Sequence, residues 1–170
     1  IKMNTAKLSS YTLSETKTYL LATIFIVGNL LLPQLAHLIP QGGFIFLPIY
    51  FFTLIAAYKY GINVGMLTAI LSPIANNLLF GMPPSAVLPI ILIKSVILAI
   101  AASLLAKHFN KVSLFAILLA ILSYQVIGTA IEIAIVKDFF AAVTDFRLGL
   151  PGMLIQLFGG YFVIKALSRL

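Results

Sequence analysis

Two charged residues stand inside otherwise apolar stretches of this sequence, Lys94 and Glu132. Glu132 is the only carboxylate within any such stretch. A charge in the hydrocarbon core of a membrane costs about 2.5–3.5 kcal/mol on insertion scales, so each charge needs a partner or a function. The two residues could form a structural ion pair, and either could hold a polar ligand. These two interpretations are compatible.

Other polar side chains lie in the middle of the apolar stretches or toward one end of them. We predict that several line a ligand site together with Lys94 and Glu132: Gln34, His37, Asn77, Tyr124, Gln125 and Gln156. The alternatives are contact with headgroup water for Gln34, His37 and Asn77, and interhelical hydrogen bonding for Gln125 and Gln156. Because the opposite halves of the stretches are almost purely aliphatic, the pattern predicts a polar cavity open to one side of the membrane.

The composition identifies the solvent of this chain as lipid. Of its residues, 62% are hydrophobic and only 9% are charged, against roughly a quarter charged in soluble domains. We predict an all-α integral membrane protein, a compact bundle of six transmembrane helices. The chain forms one domain, 1–170, whose first residues, 1–17, are a polar cytoplasmic tail. The helices are predicted at about 18–38, 44–58, 62–80, 85–106, 112–136 and 149–167.

Lysine and arginine set the predicted orientation. With the amino terminus inside, the cytoplasmic side holds Lys2, Lys7, Lys17, Lys59, Lys107, Lys111, Lys165 and Arg169, and the outside holds Lys137 and Arg147. This bias predicts cytoplasmic termini and places the polar ends of the spans outside. The basic residues are scattered singly, so the net charge of +7 does not indicate a nucleic-acid partner.

A connection on the predicted outer side could act as a gate. It is a predicted loop, Lys137–Leu148, whose Asp145 and Arg147 are either ordinary solvated charges or part of a lid.

Several classes of chemistry have no support in the sequence. There is no cysteine, no phosphate-binding glycine loop, no nucleophile elbow and no pair of histidines at metal-ligand spacing. We therefore expect neither an enzyme nor a bound cofactor or metal.

The stretch from Leu47 to Ser72, LPIYFFTLIAAYKYGINVGMLTAILS, resembles the corresponding part of substrate-binding S-components of energy-coupling factor (ECF) transporters. Such a protein captures a vitamin or related micronutrient from outside. Uptake is powered by a transmembrane coupling protein and two cytoplasmic ATPases. The resemblance implies a bacterial cytoplasmic membrane and a ligand near the outer face, enclosed by helices 4, 5 and 6 and by the loop between helices 1 and 2. That loop, Ile39–Gly43 with Gln41 and Gly42, is flexible enough to act as a gate.

The resemblance does not extend to the docking motif on helix 1. Family members often carry Ala-x-x-x-Ala there, whereas Ala22 is followed four residues later by Ile26. Docking through Gly28, or through the stripe that begins with Gly61 and Gly65, is the expectation; internal packing is the alternative for the stripe. Two other functions compete: a ligand-free structural protein of the rod-shape morphogenesis type, and a self-sufficient small transporter.

Overall fold

The computed structural model describes residues 8–170, except for the side chain of Asp145. Within that range the chain is helical and contains no strand. The helices are α1 (Thr16–Ala36), α2 (Gly42–Phe46), α3 (Phe51–Tyr60), α4 (Ile62–Phe80), α5 (Leu88–Phe109), α6 (Leu114–Val136), α7 (Phe139–Leu148), α8 (Leu150–Leu154) and α9 (Gly160–Leu167). A 3₁₀ turn, Pro48–Tyr50, precedes α3, and a π-helical turn, Ile155–Gly159, joins α8 to α9.

Five of the described helices are long and apolar enough to cross a membrane. They are α1, α4, α5, α6 and the continuous helix Leu150–Leu167, which comprises α8, the π turn and α9. Large apolar side chains such as Leu31, Leu78 and Phe162 are exposed on them, as expected where lipid covers the outer surface. The prediction of an all-helical, multi-pass membrane protein is confirmed at this level.

The predicted second helix, 44–58, is interrupted. Leu47 adopts the left-handed conformation, with φ of 46°, and Pro48 follows it. Proline has no N–H to continue the helical hydrogen bonds, so α2 ends there and α3 begins three residues after Pro48. The ten residues of α3 extend about 15 Å, half the thickness of a bilayer core. A single continuous helix is therefore corrected to a short helix, a turn and a second helix.

Helix α3 lies at the centre of the bundle. Every residue from Thr53 to Lys59 is buried, because α1, α4, α5 and α9 all pack against this helix. At one end, which we call the distal end, Gly42 contacts the carbonyl of Ala36 at the end of α1. At the other end, the tail end, the Ser9 N–H donates to the Lys59 carbonyl at 2.9 Å. The broken segment thus runs between the two ends of α1.

The predicted loop Lys137–Leu148 is instead mostly helix α7. Its first turn is capped by Asp138, whose Oδ1 accepts a hydrogen bond from the Ala141 N–H at 3.1 Å. Such a cap satisfies a donor that the helix itself leaves free. Because α7 packs against α6, this segment is an ordered element of the distal end.

Residues 8–15 of the predicted tail precede the first helix and pack on the bundle. Besides the Ser9 contact, the Asn63 side chain donates to the Tyr11 carbonyl at 2.8 Å. Residues 1–7, including Lys2 and Lys7, lie outside the described residues.

Candidate functional site

Lys94 of α5 and Glu132 of α6 are in direct contact. Lys94 Nζ lies 2.7 Å from Glu132 Oε2, and the exposed fractions of the two side chains are 0% and 16%. The sequence identified Glu132 as a possible partner for Lys94, although Lys94 starts from a deeper level in the bundle. A charged hydrogen bond of this length neutralises both groups locally and permits them to lie inside an apolar bundle.

Gly128 on α6 explains how the lysine reaches its partner. A Cβ atom at this position would lie 2.5 Å from Lys94 Cγ and 3.3 Å from Lys94 Cε. The aliphatic stem of Lys94 therefore packs on the bare backbone at Gly128. Glu132 follows four residues later, about 6 Å along the helix axis, which the remainder of the lysine side chain spans. Sequence analysis missed Gly128, whose only signal was a glycine one turn from the carboxylate.

Three neutral side chains near the ion pair bury polar atoms that have no hydrogen-bond partner among the described residues. They are Ser95 Oγ, Thr129 Oγ1 and both amide atoms of Gln125. Ser95 and Gln125 are fully buried, and Thr129 is 9% exposed. A buried donor or acceptor without a partner costs about 1–3 kcal/mol. Such groups are therefore expected to be satisfied by something other than the chain itself.

Tyr124 and Gln156, both predicted site residues, instead bond to each other. The Tyr124 hydroxyl donates to Gln156 Oε1 at 2.9 Å, and Gln156 Nε2 donates to the Leu47 carbonyl at 3.3 Å. The Tyr50 ring packs against the Tyr124 ring, with centroids 4.8 Å apart and the planes tilted by 38°. The π turn that carries Gln156 is thereby joined to α6 and to the break before α3.

A cavity of about 140 Å³ opens at the distal end. It lies between α1, the segment from α2 to the 3₁₀ turn, the connection between α4 and α5, and the first turn of α5. Its walls are mainly apolar: Pro33, His37, Gly43, Phe44, Leu47, Pro48, Ile49, Tyr50, Met82, Pro83, Pro84, Val87 and Ile91. Ile91 precedes Lys94 by three residues, and Tyr50 contacts Tyr124. Through these two residues the cavity is connected to the helix that carries Lys94 and to the tyrosine network, but Lys94, Glu132 and Gln125 do not line it.

Of the predicted gate residues in the connection after α1, only Gly43 lines this cavity. Gly43 and His37 line it, whereas Gly42 is buried against α1 and Gln41 is exposed at the start of α2. Gln34 lies one turn before His37, with its Nε2 buried and without a partner among the described residues. The structure thus brings this connection to the cavity but does not bring Gln34 or Gln41 into its lining.

The remaining predicted polar residues lie apart from the ion pair. The Asn77 side chain donates to the Pro83 carbonyl at 2.8 Å and to Ser85 Oγ at 3.2 Å, so it orders the connection between α4 and α5. Arg147 is exposed near the end of α7. The side chain of Asp145 lies outside the described part of the chain.

Asn29 on α1 is a buried polar residue that sequence analysis did not single out. Its side-chain amide donates to Thr53 Oγ1 and Ser72 Oγ at 3.1 and 3.2 Å, and its Oδ1 accepts from the Phe52 N–H. Phe52 lies in the first turn of α3, where helical N–H groups have no partner within their own helix. Asn29 therefore caps α3 from a neighbouring helix. Its place in the middle of a predicted span was a usable signal, because an amide inside a span is costly unless it is hydrogen-bonded.

The four residues predicted to dock a partner are used within the chain. Ala22 is buried, and Cβ atoms at Gly28 and Gly65 would lie 2.6 Å from a Phe52 ring carbon and from Ala57 Cα, respectively. Gly61 is buried beside Ser10, with φ of 94°, a conformation that favours glycine. Close packing between helices is thus the role that the structure shows for this stripe.

Comparisons with protein-family models, curated proteins and solved structures give no match for the chain. Among the described residues, no three histidine, aspartate or glutamate side chains are grouped closely enough to hold a metal ion. The case for function therefore depends on the geometry of the buried polar groups.

Proposed function

We propose that this protein binds a small polar molecule within the membrane, as the substrate-binding S-component of an ECF-type transporter does. The observation that carries the proposal is Gln125, which is fully buried yet has a partner for neither amide atom among the described residues. A protein whose bundle is purely structural gains nothing from such a group. In a binding protein, the bound molecule supplies the missing hydrogen bonds.

The position of the polar groups supports capture from one side of the membrane. The ion pair, the uncommitted polar atoms and the 140 Å³ cavity belong to the middle and distal part of the bundle. The positive residues predict that this end faces the outside of a bacterial cytoplasmic membrane. In this topology the segment from α2 to α3 also crosses the membrane, which brings the number of crossings from five to six, and both termini are cytoplasmic.

A vitamin or related micronutrient is the proposed cargo. As in the ECF transporters that the sequence resembles, uptake would be powered by separate cytoplasmic ATPases through a transmembrane coupling protein. Ala22, Gly28, Gly61 and Gly65 are occupied by contacts within this chain, and we assign no docking surface to them.

Extraction of bound compounds from the purified protein tests the proposal. Wild-type protein in lipid nanodiscs should release a vitamin-sized compound in about stoichiometric amount, measured by mass spectrometry. Gln125→Leu should lower its occupancy or affinity about tenfold, because one or two buried hydrogen bonds are lost. Lys107→Met, at an exposed site near the end of α5, serves as the control and should retain the compound.

Folding is checked by size-exclusion chromatography and thermal unfolding of each variant. If wild-type protein yields no retained compound and binds none at submicromolar concentration, the proposal is wrong. A ligand-free structural membrane protein is then the better interpretation. Equal binding by wild type and a folded Gln125→Leu variant would remove the observation on which the proposal depends.

A further inference from the structure

The two charges of the central ion pair differ in accessibility. Lys94 is completely buried, whereas Glu132 keeps 16% of its side chain exposed. Lys94 bonds to Oε2 of the carboxylate at 2.7 Å, and no hydrogen bond among the described residues reaches Oε1. Glu132 lies four residues before the end of α6 at Val136. Of the two charged groups, the carboxylate is therefore the one that a molecule outside the bundle can contact.

This arrangement fixes the sign of the charge that the site presents. The pair is a dipole whose negative end is partly exposed and whose positive end is fully buried, with the aliphatic stem of Lys94 packed on Gly128. An ionised carboxylate accepts hydrogen bonds and donates none. A second carboxylate or a phosphate beside it would be repelled, and low-polarity surroundings strengthen that repulsion. An N–H donor is attracted.

Two of the side chains without a hydrogen-bond partner, Thr129 and Gln125, lie on the same face of α6 as Glu132 and closer to the membrane interior. Thr129 and Gln125 precede Glu132 by three and seven residues, so they lie about 4.5 and 10.5 Å deeper along the helix axis. The Gln125 amide offers one donor and one acceptor side by side. A planar ring that carries a hydrogen-bond acceptor next to a donor can therefore bond to both the N–H and the carbonyl of this amide.

From these contacts we infer the chemical class of the ligand. We propose that the site takes an amino-bearing small molecule, an amine or an amino-substituted heteroaromatic ring, whose N–H group donates to Glu132 Oε1. The polar edge of the same molecule bonds to Gln125, and Lys94 positions the carboxylate from behind. This inference depends on the proposed function, because it names the ligand of that same site.

The test uses the compound that is extracted from wild-type protein in nanodiscs and identified by accurate mass. Two probes are prepared, the compound itself and its N-acetylated derivative, and their affinities are measured for wild type and for Glu132→Gln. Wild type should bind the unmodified compound about 10- to 100-fold more tightly than Glu132→Gln does, as expected for a charged hydrogen bond. Acetylation should weaken binding to wild type by at least tenfold and have little effect on the variant.

Glu15→Gln is the matched control. Glu15 is exposed just before α1, so this variant should bind both probes as wild type does. If the extracted compound has no amino group, or is a carboxylate or phosphate whose binding survives Glu132→Gln, the inference is wrong while the proposed function stands. If no compound is retained at all, both fail together. Thermal unfolding of Glu132→Gln separates lost binding from lost folding.

Discussion

At the scale of single residues, the buried polar groups fall into two classes. Asn29 has its side-chain atoms engaged with Thr53, Ser72 and the start of α3. Gln125, with the same functional group and equal burial, has no partner among the described residues. The first arrangement stabilises the bundle, and the second is where the proposed function would place a ligand. Burial alone does not distinguish them, but hydrogen-bond partners do.

Gly128→Ala should destabilise the protein by about 1–3 kcal/mol, because the new methyl group overpacks against the Lys94 stem. Its Cβ would lie 2.5 Å from Lys94 Cγ, and the intrinsic helix preference of alanine offsets only about 1 kcal/mol. The free energy of unfolding in bicelles measures the effect. Gly159→Ala is the control, since its nearest contact is a Phe51 ring atom at 3.3 Å. Equal stability of the Gly128 variant and wild type would contradict this account of the ion pair.

The sequence predicts residue partners only where the choice is narrow. Glu132 was the one carboxylate within a span, so its pairing with Lys94 could be proposed. The contact itself depends on the lysine rotamer and on the bare surface at Gly128, and neither is encoded in spacing. For Tyr124 and Gln156 no rule of spacing connects α6 with a residue of the π turn.

At the scale of elements, two interruptions of regular helix meet. The break at Leu47 leaves a carbonyl that accepts from Gln156, and Gln156 lies in the π turn of the last helix. π turns are often found at functional sites. Here the π turn places one amide between the 3₁₀ segment and Tyr124, so the two irregular elements depend on each other.

Gln156→Leu should loosen the break without unfolding the bundle. Leucine has a similar volume but loses the bonds to Tyr124 and Leu47, each worth about 0.6–1 kcal/mol between membrane helices. Amide hydrogen exchange of residues 47–51 should become about tenfold faster. Leu154→Ala, on the exposed face of the same helix, should leave this exchange unchanged. Unaltered exchange in the Gln156 variant would show that the break is held by packing alone.

Long helices were predictable because apolar run length and terminal signals agree. The predicted helix 62–80 coincides with α4, whose end at Gly81 has φ of 67°. The ends of the other long helices lie within three residues of the predicted ends. The break at Leu47 was missed because a left-handed leucine is set by tertiary contacts. Helix α7 was missed although Asp138, three residues before Ala141, is a recognisable amino-terminal cap.

At the scale of the whole molecule, the broken segment decides the topology. It connects the distal and tail ends of α1, and together with the five long helices it would give the even number of crossings that we propose. Since α3 is surrounded by other helices, its short length does not leave its backbone groups in lipid. A half-length helix can complete a crossing when the neighbouring turns are buried in protein.

Cysteine labelling tests this topology directly, because the chain contains no native cysteine. A membrane-impermeant maleimide should label Leu38→Cys and Lys137→Cys in intact cells. It should label Lys107→Cys and Ser168→Cys only after permeabilisation, as the positive residues predict. If the broken segment does not cross the membrane, Leu38→Cys and Lys107→Cys will be labelled from the same side.

The Lys94–Glu132 contact also constrains how the protein is made. Its two residues are separated by 38 positions in the chain, so α5 is synthesised well before its carboxylate partner on α6. Insertion of α5 alone would place a lysine in lipid at a cost of about 2.5–3.5 kcal/mol. The short connection Asn110–Ser113 between the two helices favours their entry into the bilayer as one hairpin. The ion pair thus favours insertion of α5 together with α6, in addition to its place in the finished fold.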